Sequence, residues 1–574
     1  MTTPEQDTHT AFVPPGSMVV GFVPPGGGSF GFVAPGGGPM GFVAPGGGPL
    51  GFVSPGGGPL GIASPNVVVL GYVGPNGTVL GLHGQPQPTQ ATPPAPVAPT
   101  GSGNTIVIWE DDPATNVLAH RDIPDLVAAR LAIDPTSTVP ALAAAPAPGQ
   151  YPPHTTEFRY WTAAEALARG TGLWHAIIAK AAPGRAWQWH NMATLPVMLD
   201  NPAPDFNAFY DRTALKFFHG DTSFGRVYSG ESPDIVCHEL GHAVLDAIKP
   251  QLWGAASHEA AAFHEAFGDI SALLSALQLP SLRSAVLHDT GGRLYTNSRL
   301  SRLAEQLGAA IRLSQPQDVD PDCLRNAVNS FVYHDPTGLQ PSAPASQLSS
   351  EPHSFSRVFS GAFFEALATL VTAMATNPTD ATLTTAADEM AIVLIRAILR
   401  APIVSNLFAQ VAAGMVVEAA RFSPLHASIV RGVCVRRGIL SPRSAASFAG
   451  PNLDRHLSMT ADLDPRHDLG LVVVSASAYG IEKSLALESP SHHRAYAATS
   501  AAPDATPIEP SSALTAAKSF ADDIFRRGRV DYAGHAGDTA LLHIGNRFTT
   551  HKLVADDGAV RLTRCCFDCG LRRD

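Results

Sequence analysis

From Pro233 onward the chain turns strongly helical and alanine-rich, and its first two helices carry the residues that narrow its fold most. Apolar periodicity predicts one helix over Ile235 to Ile248, ended by Lys249-Pro250, and a second over Ser257 to Leu277. The first contains His238-Glu239-Leu240-Gly241-His242. Positions four apart share a helix face, so both imidazoles can point at one ion. Glu239, one residue after the first histidine, leans toward the open coordination position, where it can take a proton from a water.

Tetrahedral zinc needs a third protein ligand and leaves its fourth place open. The second helix contains His264-Glu265-Ala266-Phe267-Gly268-Asp269. Glu265 and Asp269 are four apart. Glu265 can complete the zinc shell, and Asp269 can accept the outer N–H of a ligand histidine and fix its tautomer. Glu259 is a rival third ligand, but only Glu265 has an acidic partner at i+4, so Glu265 is preferred. A third histidine six residues past His242 would mark a metzincin. That place is Ile248.

The rest of the chain falls into unlike parts. Residues 1–103 hold 44 glycines and prolines, and from Ala11 a ten-residue unit recurs seven times, clearest from Gly31, Gly41 and Gly51. Pro-Gly steps favour turns, and each unit has few apolar residues to bury. The expectation is a flexible arm, with a stacked turn array or a self-association tag as the rival, closed by a Gln/Pro/Ala/Thr linker from Gln85 to Gly103. Thr105 to Trp109 reads as a strand and opens a mixed, strand-rich stretch with short helical runs such as Ala163 to Ala168. Phe355 to Ala375 and Ala381 to Leu399 read as further helices. Residues 446–510 read as a polar linker. A small domain then spans 511–574, with a helix over Ser511 to Arg526 and strands near Arg547–Val554 and Ala559–Phe567, turned by Asp556-Asp557-Gly558.

Composition excludes several classes. The formal net charge of −11, with no basic run, argues against nucleic acid or an anionic membrane as partner. No apolar stretch approaches the roughly 18 residues of a membrane span. Six cysteines in 574 residues do not make a disulfide scaffold. Cys565, Cys566 and Cys569 include a Cys-x-x-Cys pair without an evident fourth metal ligand, so free thiols are expected. Cys237 reads as a packing residue. The first Lys or Arg is Arg121, so the basic segment of a secretory signal is not visible, and localisation stays open.

The pattern around both helices resembles the thermolysin family of zinc endopeptidases. Val236 to Asp246 is similar to that family's active-site helix, and His264 to Asp269 to its second zinc helix. Asn207-Ala208-Phe209-Tyr210 is similar to the edge strand that holds an extended peptide by strand addition. Leu324-Arg325-Asn326 is similar to the segment whose arginine binds a substrate carbonyl. Pro352-His353-Ser354, followed by Phe359-Ser360-Gly361, is similar to the segment of the transition-state histidine. The resemblance covers about residues 104 to 445 and is strongest from 205 to 365. It implies a two-lobe α+β peptidase, with a strand-rich N-lobe and a helical C-lobe, between the low-complexity arm and the small α+β C-terminal domain.

In that frame His238, His242 and Glu265 hold one Zn2+, Glu239 is the general base, and His353 is the second catalytic residue. Asp269 and His264 orient the ligands. Asn207, Ala208, Arg325 and Trp253 line the seat of a peptide or protein substrate. Two departures stand out. Trp253 occupies the place of a tyrosine that donates to the oxyanion and reads as pocket wall. His264 replaces an asparagine. The family's acidic calcium cluster is mostly missing: Asp234 matches one position, but Ala276 and Gln278-Leu279-Pro280 supply no carboxylate, so Ca2+ lacks its usual support. The rival reading is a catalytically impaired, zinc-stabilised scaffold that associates through its repeats or tail.

Overall fold

The computed structural model describes short strands between residues 18 and 81, and then residues 105–134, 145–449, 469–490, 497–500, 506–532, 549–556 and 558–570. Two compact units are separable, Met1–Ala95 and Pro96–Asp574. In the first, β1 (Met18–Val19), β4 (Gly71–Val73) and β5 (Val79–Gly81) form one antiparallel sheet, and β2 (Leu50–Val53) pairs with β3 (Pro59–Ala63). The flexible arm read from the repeats otherwise lies outside the described residues.

The second unit opens with β6 (Thr105–Trp109) and β7 (Leu118–Asp122), an antiparallel pair. After β8 (Leu131–Asp134) comes α1, Thr156–Ala181. The helical run read at Ala163 to Ala168 is the centre of this much longer helix, capped by the Thr155 hydroxyl. From Phe158 to Leu167 it is buried all round, which hides an amphipathic period there, whereas the second half exposes Gly172, His175, Ala176, Ala179 and Lys180. Then follow β9 (Leu195–Met198), β10 (Ala208–Tyr210), β11 (Leu215–Phe217), β12 (His219–Thr222) and β13 (Gly225–Tyr228).

The helical half holds α2 (Pro233–Ile248), α3 (His258–Ala276), α4 (Pro280–Thr290), α5 (Glu305–Arg312), α6 (Pro352–Met374), α7 (Asp380–Arg400), α8 (Leu407–Ala419), α9 (Pro424–Arg436) and α10 (Pro442–Ser447), with a short ladder of β14 (Arg302–Leu303) on β15 (Arg325–Asn326). Ser232 and Ser257 cap α2 and α3 through their side chains, and Pro233 sits in the first turn of α2. By length and composition α6 is apolar enough to cross a membrane, more than the sequence reading allows. However, 72% of that window is buried inside the protein, against α3, α7 and α9, so its apolarity serves the core.

The last elements are β16 (Leu469–Val474), β17 (Leu485–Pro490), α11 (Ala513–Arg526), β18 (Val530–Asp531), β19 (His551–Asp556), β20 (Ala559–Arg564) and β21 (Phe567–Asp568). Strands β16-β17-β20-β19-β18 make one five-stranded sheet. The stretch read as linker, 446–510, therefore contributes two strands to the C-terminal sheet. Their signal is weak because β16 is half-exposed on an edge and β20, the partner of β17, lies some seventy residues on. Asp556 pairs with Ala559, and Gly558 just before it stands at φ +86°. The other five-stranded sheet runs β21-β10-β11-β9-β8, so the last described strand of the chain forms its edge.

Candidate functional site

Helices α2 and α3 cross so closely that only glycine fits between them. A Cβ on Gly241 would lie 2.9 Å from Gly268 Cα, and one on Gly268 would lie 2.6–2.8 Å from the His238 ring. This approach sets both histidines of α2 against the carboxylate of Glu265. Oε2 of Glu265 is 3.2 Å from His238 Nε2, 3.7 Å from His242 Nε2 and 3.2 Å from His353 Nε2. Donor atoms of His238, Glu239 and His242 lie within 4.8 Å of one another, a grouping able to hold a metal ion.

The donor set fits zinc. Bonds of about 2.0–2.1 Å in a tetrahedron set ligand atoms roughly 3.3 Å apart, close to the spacings found. Two buried atoms aimed into the group, His242 Nε2 and Glu239 Oε2, have no hydrogen-bond partner among the described residues, an unmet polar requirement that a cation would satisfy.

Behind these atoms stands a buried supporting layer. Asp269 Oδ1 is 3.0 Å from His238 Nδ1 and accepts from Arg325 Nη2 at 2.8 Å. Burial alone would raise the Asp269 carboxyl, but Arg325 and His238 outweigh it and hold the group below its ordinary range. Arg325 is thus tied to Asp269, while its Nη1 has no partner among the described residues. His264 Nδ1 is 3.3 Å from His242 Nδ1. Burial holds both imidazoles well below their ordinary pKa, so the pair is neutral and one ring donates to the other.

His353 lies in the first turn of α6, whose cap is Glu351. Glu351 Oε1 is 2.7 Å from His353 Nδ1. Burial pulls the His353 pKa down, yet the carboxylates of Glu265 and Glu351 prevail and hold it up to about 9, so the ring is cationic at neutral pH. Burial pushes Glu239 up to about 8.

The rival ligand Glu259 is elsewhere. It accepts from Tyr333 Oη and from the Phe408 N–H, each at 2.6 Å. Trp253 does line the cleft, but its indole N–H donates to the Arg564 carbonyl at 3.3 Å. Asn207 is buried, with Oδ1 accepting from the Ala208 N–H. Cys237 is buried against the Ala166 carbonyl.

The edge of β10 is occupied by the chain itself. Strand β21 runs antiparallel along it, pairing Asp568 with Phe209 and Phe567 with Tyr210. The Cys569 N–H donates to the Ala208 carbonyl at 2.8 Å. The Asp568 carbonyl accepts from His353 Nε2 at 2.6 Å, and Cys569 Sγ lies 2.7 Å from Glu239 Oε1. Phe567 stacks on His264 at 4.0 Å and meets Trp253 edge-on at 5.3 Å. The Cys-x-x-Cys pair is split: Cys566 packs with Phe209 and Phe218, while Cys569 faces Glu239. Nothing in the local sequence signals this placement.

A second group is likewise invisible in the sequence. Asp112, Asp234 and Glu305 bring carboxylate oxygens within 4.8 Å of one another, all buried. The calcium position matched by Asp234 thus has acidic company, supplied by residues outside the stretch where the resemblance places it.

No protein-family model and no curated protein matches the chain. Among solved structures the chain is similar to the precursor of protealysin, a metalloproteinase from Serratia proteamaculans, at 17% identity over 51% of this chain and 83% of that one, with a TM-score of 0.33.

Proposed function

We propose that the chain is a zinc-dependent metalloendopeptidase. One observation carries the reading: three candidate ligand side chains converge on one point, with the unpartnered Glu239 Oε2 beside them, next to a strand edge that accepts an extended peptide. In this reading His238, His242 and Glu265 would hold Zn2+, which when bound polarises a carbonyl and a water. Glu239 accepts a proton from the attacking water and passes it to the leaving amine. Its burial favours the protonated form, which suits the second transfer. Cationic His353, held by Glu351, donates Nε2–H to the carbonyl oxygen as charge builds there. The Ala208 carbonyl receives a substrate N–H by strand addition, and Arg325 offers Nη1 to a substrate carbonyl. Asp269 and His264 fix the ligand imidazoles.

Trp253 favours the second reading, a zinc-stabilised binding protein, because its indole N–H is committed to the Arg564 carbonyl. Both readings predict one zinc per chain. They part on cleavage of an unfolded protein, assayed with Phe567→Asp, a change that puts charge into the aromatic seat of β21. Chelator-sensitive cleavage supports the peptidase. One zinc without cleavage supports the scaffold, and no zinc sinks both.

A further inference from the structure

We propose that the C-terminal sheet β16-β17-β20-β19-β18, with α11, carries a built-in inhibitor, the strand β21, which fills the substrate cleft in the manner of a bound peptide and keeps the chain latent. The inference rests on the peptidase reading of the same cleft.

Two contacts of β21 and the residue after it coincide with contacts assigned above to a substrate, at Ala208 and His353, and a third falls on Asn207. Its backbone extends β10, and the Cys569 N–H takes the Ala208 carbonyl. The Asp568 carbonyl takes the His353 N–H, the donor assigned above to a substrate carbonyl. Gly570 lies against Asn207 so tightly that a Cβ there would sit 2.7 Å from its side chain. The bond between Asp568 and Cys569 therefore occupies the position of a scissile bond. What distinguishes it from a substrate is the thiol. At 2.7 Å from Glu239 Oε1, Cys569 Sγ leaves no room for a water between itself and the proposed base. Glu239 belongs with His238 and His242 to the candidate metal group, so the thiol stands directly beside that group.

The strand is held by a folded domain. Arg529 Nη1 is 3.2 Å from Asp568 Oδ2, and its Nη2 donates to the Gly570 carbonyl. Arg564 lies over the Phe567 ring at 4.1 Å and donates Nε–H to the Trp253 carbonyl. Glu488 accepts the Ala256 N–H through its carbonyl, and Arg527 reaches Glu351, the residue that holds His353. Tethering makes the contact intramolecular, so free peptide must compete against a high effective concentration.

The test follows the Cys569 thiol in the full chain. Iodoacetamide labelling, mapped by mass spectrometry, is expected to modify Cys569 at least about tenfold more slowly than the partly exposed Cys565. Phe567→Asp and Gly570→Val, neither placed in the catalytic machinery, should each bring the two rates within about threefold and speed zinc extraction by a chelator. Cleavage of an unfolded protein should rise at least about tenfold in the same variants. Equal labelling of both thiols in the unaltered chain would overturn the proposal. So would loss of residues 569–574 on zinc loading, seen as intact mass, because the strand would then be a substrate. Full cleavage activity in the unaltered chain would overturn latency while sparing the peptidase. Release of Cys569 in both variants with no cleavage would leave the occupied cleft standing and remove the peptidase reading instead.

Discussion

Asp269 Oδ1 lies 3.0 Å from His238 Nδ1, and the same oxygen accepts from Arg325. One carboxylate thus fixes the outer nitrogen of a candidate ligand and neutralises a buried guanidinium. Asp269→Ala should weaken zinc binding about 10–100-fold, because the imidazole loses its orienting acceptor. It should also cost about 3–5 kcal/mol of stability, because Arg325 is left charged and unpaired in the interior. Zinc competition against a chromogenic chelator and denaturant unfolding measure the two effects separately. Unchanged zinc affinity would remove Asp269 from the metal centre.

Glu239→Gln tests the proposed base. The amide keeps the volume and a carbonyl oxygen but cannot accept the proton of an attacking water. In the Phe567→Asp background, cleavage should drop about 10²–10⁴-fold with one zinc per chain retained. Cleavage at a substantial fraction of the parent rate would mean that another group takes the proton.

The acidic group at Asp112, Asp234 and Glu305 gives a pH signature. Burial first, and repulsion by Asp112 and Asp111 second, hold the Glu305 carboxyl far above its ordinary range, up to about 9. The folded chain therefore keeps a proton that the unfolded chain releases near pH 4.5. Stability is then present below the unfolded pKa and falls as pH rises toward the folded one. Glu305→Gln, which is always neutral, should escape that loss. In chelator, the stability gap between variant and parent should widen by at least about 1 kcal/mol from about pH 5 to about pH 8. A constant gap would mean that Glu305 titrates normally.

The two helices of the candidate metal site and the shared face of His238 and His242 are legible in the sequence because helical period is local. Glu265 is separable from Glu259 by its i+4 partner, and the structure puts Glu259 on Tyr333 instead. The start of α1 is hard to read because burial on all sides erases the period from Phe158 to Leu167, while Leu173, Trp174, Ile177 and Ile178 keep helical spacing in its second half. The acidic group is not legible, because its members Asp112, Asp234 and Glu305 meet only through tertiary packing. The seat of Cys569 on Glu239 spans 330 residues, and the Cys-x-x-Cys spacing, read as free thiols, says nothing of where each thiol sits. Glu351 does carry a local signal, an acid two residues before His353 at a helix start.

The close crossing of α2 and α3 can be tested at its narrowest point. Gly268→Ala would place a Cβ 2.6–2.8 Å from the His238 ring, which Asp269 and Glu265 hold from two sides. The ring must swing or the helices must part. Either movement should cost about 1–3 kcal/mol and weaken zinc binding at the same time. Gly172→Ala is the matched control. Gly172 lies in the interior of α1, exposed, and an added Cβ there would meet nothing within 4 Å. The extra methyl should therefore stabilise the helix by about 0.5–1 kcal/mol. Opposite signs for the two substitutions in thermal unfolding, with zinc affinity lost only in Gly268→Ala, would tie the crossing to the metal centre. If Gly268→Ala binds zinc as the parent does, the crossing serves packing alone.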